Sequence, residues 1–300
     1  MEHIFLDYPV NTLEGDLILE AGTDLSPETI AKIAVSAKGT HPKRYPLLEH
    51  GRVREDLMGF LMAPPYSTIF AGHETLLSLE SLASRVELIR PAMDALDHFW
   101  ENDFYTYQHI LVVYALGSLL SRQLVGTNKE VEVAAAGPTH DIGKICVPLE
   151  ILRKETPLTE KERKHLHHHA AAGFVLLEYF QGGKVSFDSR VARDHHERRD
   201  GSGYPRGVRI KDRLVEVITV CDVYDALISP RPYRLESFDN RTALEELTDM
   251  AEKGKIGWDA LKALIANNRR GKPSYKDIQI SRERRGKPPE RNFYGKSSGE

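Results

Sequence analysis

Chemistry in this chain is concentrated in its imidazoles. Thirteen of the 300 residues are histidine, and eight of them fall between His109 and His196. A neutral imidazole offers one nitrogen to a transition metal, and a carboxylate can bridge two cations. Two aspartates accompany the cluster: Asp141 beside His140, and Asp222 in an apolar stretch where an uncompensated acid would be costly. His109 shares a helical stripe with Val113, Leu116 and Leu120, so it points inward; alone it would be an ordinary core histidine. His165 and His169 stand four apart on a stripe continued by Ala172 and Leu176, which turns His169 inward and His167 outward. His165, His167 and His168 read equally well as a solvated face. His195 and His196 end a short helix. Together His109, His140, Asp141, His169, His195, His196 and Asp222 give five imidazoles and two carboxylates. That donor set suits two divalent cations sharing a carboxylate, and neither a thiolate zinc site nor an all-oxygen magnesium or calcium site.

Other residues suit an anionic ligand. Lys144 follows His140 by four positions and overhangs the same face. The run Gly201-Ser202-Gly203-Tyr204-Pro205 is a turn whose backbone amides can face an anion. Arg231-Pro232-Tyr233-Arg234 offers two guanidinium groups, which pair bidentately with phosphoryl oxygens. Cys146 and Cys221, the only cysteines, exclude a disulfide framework and read as small core residues.

The elements that must position these groups are mostly helical. From about 73 to 268 strand-like alternation is scarce, and Thr127-x-x-Glu130 and Thr159-x-x-Glu162 are capping boxes opening helical runs. His140 and Asp141 follow the alanine-rich run Ala134 to Ala136; as helix neighbours they would diverge by about 100° around one site. Residues 1–85 read as a small α+β module for packing or regulation. Its strands are expected at Ile4-Phe5-Leu6 and Leu17-Ile18-Leu19, and its helix opens at Ser26-Pro27 and stops at Gly39. Residues 86–268 form the helical domain. Residues 269–300 carry ten Lys/Arg against four Asp/Glu and repeat Arg-Arg-Gly-Lys-Pro at 269 and 284, which predicts a disordered basic extension. Such a tail could meet nucleic acid, anionic lipid or an acidic partner. The net charge of −3 provides no global field for such partners. The early acids Glu2, Asp7, Glu14 and Asp16 argue against a secretory signal, and the longest apolar stretch, Ile110 to Leu120, is short of the ~20 residues a spanning helix needs. A cytoplasmic protein is expected.

The motifs resemble a known family. His140-Asp141-Ile142-Gly143-Lys144 is similar to the signature of the HD metal-dependent phosphohydrolases. The run from His195-His196-Glu197 to Gly203-Tyr204-Pro205, with Asp222-Val223-Tyr224-Asp225 and Arg231-Pro232-Tyr233-Arg234, resembles the HD-GYP subfamily, from about Tyr105 to residue 268. The resemblance implies a mainly α fold, an HD-type bundle around a binuclear iron or manganese centre, in a bacterial phosphodiesterase for cyclic di-GMP or a related cyclic dinucleotide. His109, His140, Asp141 and Asp222 would hold one metal; His169, His195 and His196 would hold the second, with Asp141 bridging. Lys144, Arg231 and Arg234 would bind phosphate, beside Gly203, Tyr204 and Pro205. Members with a third metal carry glutamate four residues before the first histidine ligand; Tyr105 stands there, so two metals are expected. Ala170 replaces a frequent proline, and Ile110 a frequent small hydroxyl residue. The competing readings are a catalytically inactive module that binds cyclic dinucleotide or a signalling protein, and a general HD nucleotidase for monomeric substrates.

Overall fold

Two helices are apolar nearly all round, and the fold is built outward from them. In the computed structural model α5 (Phe104–Leu124) buries residues on every side, and α10 (Arg213–Ile228) buries every residue from Val215 to Ile228. Such helices belong at the centre of a bundle. They pack against each other, and Gly117 permits the approach: a Cβ there would lie 2.8 Å from Ile218 Cδ1. The structure describes residues 4–36, 43–125, 127–182, 185–230, 236–281 and 283–289.

Around this pair lie α2 (Val53–Met62), α3 (His73–Ala83), α4 (Arg90–Asn102), α6 (Thr127–Ala136), α11 (Asn240–Glu252) and α12 (Trp258–Asn268). A second group comprises the short α7 (Leu149–Leu152), α8 (Glu160–Gln181) and α9 (Phe187–Asp194). Local chemistry sets the helix ends. Thr159 and Glu162 form the expected capping box of α8, an arrangement worth ~1 kcal/mol, and Gly182 closes that helix with φ +72°. Asp103, Asp212 and Asp239 cap α5, α10 and α11 by accepting backbone N–H groups. The Thr127–Glu130 box rests on side chains outside the described set.

His140 and Asp141 lie on no continuous helix. They join two 3₁₀ turns, Gly137–Thr139 and Ile142–Cys146. Pro138 ends α6, and Gly137 presses on the Tyr114 backbone, where a side chain would collide. The second turn lies directly on α8: a Cβ at Gly143 would run into the His169 carbonyl oxygen and the Gly173 backbone.

The N-terminal residues pack in two ways. β1 (Val10–Asn11) pairs antiparallel with β2 (Leu17–Leu19), and α1 (Pro27–Ser36) follows. Ile4–Leu6, expected as a strand, makes one isolated bridge, Phe5 with Asp24; Gly39 lies outside the described residues. Leu6, Val10, Ile30 and Ile33 pack on the outer face of α8, against Phe174, Val175 and Leu176. Residues from Leu47 onward, including Leu57, Leu61, Tyr66 and Phe70, join the main core with Ile110 and Val113. β3 (Arg44–Pro46) pairs with β4 (Glu87–Ile89).

The described part of the basic tail departs from the expected solvated extension, because its cations and amides find acidic partners. Arg284 reaches Glu252 at 2.7 Å, the Gly286 N–H donates to Glu245 at 2.8 Å, and Ile278 is buried. Among the described residues no helix is long and apolar enough to cross a membrane.

Candidate metal centre

Five elements converge on one buried point. His109 comes from α5, His140 and Asp141 from the junction of the 3₁₀ turns, His169 from α8, His195 and His196 from the end of α9, and Asp222 from α10. All seven sequence candidates meet, in two groups: His109, His140 and Asp222; and Asp141, His169, His195 and His196. Within each group the ligand atoms lie within 4.8 Å of one another. Asp141 stands between them. Its Oδ2 is 3.4 Å from Nε2 of both His109 and His140, and its Oδ1 is 3.3 Å from Nε2 of His169 and 3.9 Å from that of His195. Asp222 Oδ1 lies 3.2 Å from His109 Nε2, and Oδ2 lies 3.6 Å from His196 Nδ1.

Each ring but His196 is oriented from behind. Nδ1 of His140 faces the Gly137 carbonyl at 2.6 Å, that of His169 the Leu166 carbonyl at 2.5 Å, and that of His195 the Val191 and Ala192 carbonyls at 3.0 Å. A carbonyl can only accept, so Nδ1 carries the hydrogen and Nε2 presents a lone pair to the centre. His109 does the same through the Asp225 carboxylate, 2.6 Å from its Nδ1.

The electrostatics suit a cation. Burial pushes His140 down to about 4 and His169 to about 3, and also holds His196 well below its usual range, so these rings stay neutral. Burial would likewise lower His109, but the hydrogen bonds it donates to Asp222 and then to Asp225 outweigh it and raise the ring to about 9. Burial opposes ionisation of Asp141 and Asp222. The Lys144 ammonium leads the groups that hold Asp141 well below the usual carboxylate range, and the hydrogen bond from His109 leads for Asp222.

This donor set fits divalent metal. Nε2 atoms face one another at 3.1 Å (His169 and His196) and at 3.4 Å (His169 and His195, His109 and His140). Between His169 and His196 the converging lone pairs of two neutral rings repel one another unless a cation lies between them. On His109 a cation would take the place of the proton that Asp141 and Asp222 otherwise hold. Neither cysteine joins a group: Cys221 is fully buried, and the Cys146 thiol donates to the Asn11 carbonyl at 3.4 Å.

At the rim, Lys144 Nζ lies 2.6 Å from Asp141 Oδ2. Tyr204 is sandwiched between His167, 3.8 Å away and 9° from parallel, and His196, 4.6 Å away at 25°. Gly203 has no room for a Cβ against the backbone of His196 and Glu197. The loop does not offer its amides as a row to an anion. The N–H of Ser202 goes to Asp200, that of Tyr204 to the His196 carbonyl, and those of Arg206 and Val208 to Glu197. Arg231 and Arg234 lie outside the described residues. The three remaining histidines are not a solvated face: His165 stacks on Tyr8 at 3.6 Å, His168 is buried against the edge of the same ring, and His167 covers Tyr204. Tyr8 and Tyr66 stood in no motif, and the supporting roles of Glu197 and Asp225 were not legible although both stood in the quoted runs, Asp225 one helical turn after Asp222.

The HD domain family matches residues 97–259. A cyclic di-GMP phosphodiesterase of Pseudomonas aeruginosa is 41% identical over 155 residues, covering 50% of this chain and 36% of that protein. The cyclic di-GMP phosphodiesterase response regulator RpfG of Xanthomonas campestris is 37% identical, covering 47% of this chain and 37% of its own length. A 3′3′-cGAMP-specific phosphodiesterase of Vibrio cholerae is 36% identical, covering 54% and 36%. The chain thus spans little more than a third of the length of these relatives. With that match covering the whole set of converging histidines and aspartates, the chain belongs to the HD domain family.

Proposed function

We propose that this chain hydrolyses a cyclic dinucleotide, cyclic di-GMP foremost, at a centre of two divalent cations, iron or manganese. The observation that carries the reading is Asp141, whose two oxygens face two separate groups of buried ligands. His109, His140 and Asp222 would hold one ion, and His169, His195 and His196 the other, with Asp141 between. When bound, the cations supply Lewis acidity toward water and the phosphoryl oxygens. The surrounding residues keep that chemistry in place: the carbonyls of Gly137, Leu166, Val191 and Ala192 aim the imidazoles, and burial keeps His140 and His169 unprotonated. Lys144 is partly open at the rim, where its charge would offset charge developing on the phosphodiester. Tyr204, with Gly203 and Pro205, would form the wall beside the substrate, and Arg231 and Arg234, by residue type alone, would supply further phosphate contacts. Water adds to phosphorus, the bond to the 3′ ribose oxygen breaks, and that oxygen gains the proton. The product is the linear dinucleotide, and a second round gives two GMP. Tyr105, with its ring over His109, occupies the place of a third-metal ligand, which favours two ions. The same reading has the enzyme in bacterial cytoplasm, with residues 1–85 as a regulatory or packing module and a signalling protein among its partners.

The test is Asp141→Ala in protein prepared anaerobically and loaded with Fe²⁺ or Mn²⁺. Wild type should turn over cyclic di-GMP with two metal equivalents bound, and the variant should lose both while its helical circular dichroism is kept. Full turnover by the variant sinks the shared-carboxylate centre. A metal-loaded wild type that binds cyclic di-GMP without cleaving it would make this a binding module.

A further inference from the structure

The hydrogen bond that aims His109 does not end at Asp225. Asp225 Oδ2 faces His109 Nδ1, and its Oδ1 accepts the phenolic hydrogen of Tyr66. Ser229 Oγ lies 2.7 Å from the same phenolic oxygen and 3.2 Å from Asp225 Oδ1. All of these groups are fully buried: Tyr66 and His109 are 1% exposed and Asp225 is 0% exposed. Tyr66 sits in the turn between α2 and α3, on the same core as Leu61 and Ile69, and outside the segment that matches the HD domain. Burial, and then Asp225, push its hydroxyl well above the usual phenol range, so it remains a donor.

We propose that Tyr66 is a positioning residue for the metal centre: through Asp225 it fixes the ring of His109, so a segment preceding the HD domain completes the support of one of the two ligand groups. The inference rests on reading His109, His140 and Asp222 with Asp141 as metal ligands. Asp225 can hold His109 in one orientation only while its own second oxygen is held. Without the Tyr66 hydroxyl that oxygen keeps Ser229 alone, whose one hydrogen is shared with Oδ2 at 3.3 Å, and the carboxylate is held less firmly against turning about its Cβ–Cγ bond. In the other ligand group His169 and His195 are aimed by backbone carbonyls, and among the described residues none of its rings hydrogen-bonds to Asp225 or Tyr66. The effect is therefore confined to one metal.

The experiment is a competitive Mn²⁺ titration of the full chain against a chromophoric chelator, for wild type, Tyr66→Phe, Asp225→Asn and the double variant, with folding checked by circular dichroism. Phe keeps the buried ring and removes only the donor. Wild type should bind two Mn²⁺, and Tyr66→Phe should bind one of them about 10–100-fold more weakly and the other unchanged. In the Asp225→Asn background, Tyr66→Phe should add little. Equal weakening of both ions, no weakening, or full additivity with Asp225→Asn overturns the inference. Should Tyr66→Phe not fold, Ser229→Ala takes its place, with weakening of the same single ion expected and unchanged binding of both overturning the idea. A wild type that binds no Mn²⁺ overturns instead the metal reading on which this rests.

Discussion

A histidine becomes a dependable ligand when something behind it decides which nitrogen faces forward. Here backbone carbonyls do this for His140, His169 and His195, and a carboxylate does it for His109. Types and spacing made the seven converging residues legible, because helical periodicity tells which side of an element faces inward. Periodicity says nothing about what an inward residue meets. That is why Tyr66, in contact with Asp225 across 159 positions of sequence, left no mark in any motif. The same limit applies to His165, His167 and His168, which look solvated until the rings of Tyr8 and Tyr204 are in place. Lys144 poses a question at this scale, since its ammonium could serve Asp141 or the substrate. Lys144→Met should keep both metal equivalents and lower kcat on cyclic di-GMP by about 100-fold, the usual scale for losing one charge-stabilising donor. Steady-state kinetics with metal analysis of the same samples decides it; lost metal would assign the lysine to Asp141.

The long helices were readable because their patterns are strong. α5 and α10 are apolar nearly all round, and α8 announces itself by a capping box. The His140-Asp141 junction was not, because a helix-rich context hides a change to 3₁₀ geometry that depends on Pro138 and on Gly137 meeting Tyr114. The start of α8 carries a pH dependence of its own. Lys154, followed by the backbone and hydroxyl of Thr159, lowers Glu162 from 4.5 to about 2. Its pKa is lower folded than unfolded, so its stabilisation is complete above about 4.5 and is lost as pH falls through about 2. Glu162→Gln should therefore melt below wild type at pH 6, with the gap closing as pH approaches 2. A gap that stays constant in melting scans from pH 6 to 2 would show that the carboxylate is not the stabilising group.

At the scale of the molecule, composition predicted parts where packing shows continuity. Residues from Leu47 onward share the core of the helical bundle, and the basic segment finds Glu245 and Glu252 on α11. A charge count sees cations but cannot see that acids wait for them on a neighbouring helix. Five elements meet at the metal ligands, so bound metal should tie the bundle together. A ligand at 100 times its Kd adds about 2.7 kcal/mol per site, and each kcal/mol moves melting by roughly 2–4 °C in a protein of this size class. Chelation of the Mn²⁺-loaded chain should thus lower its melting temperature by at least about 5 °C, as read by calorimetry, and Asp141→Ala should show no such drop. The contact of Gly143 with the His169 carbonyl and Gly173 has a separate consequence, for descent rather than for reaction. The glycine of the His-Asp-Ile-Gly-Lys motif is required by the approach of two backbones. A lineage that abandoned hydrolysis would be free to discard its imidazoles, yet would remain bound to that glycine for as long as it kept the shape. Glycine at 143 thus answers to architecture, whatever chemistry the histidines perform.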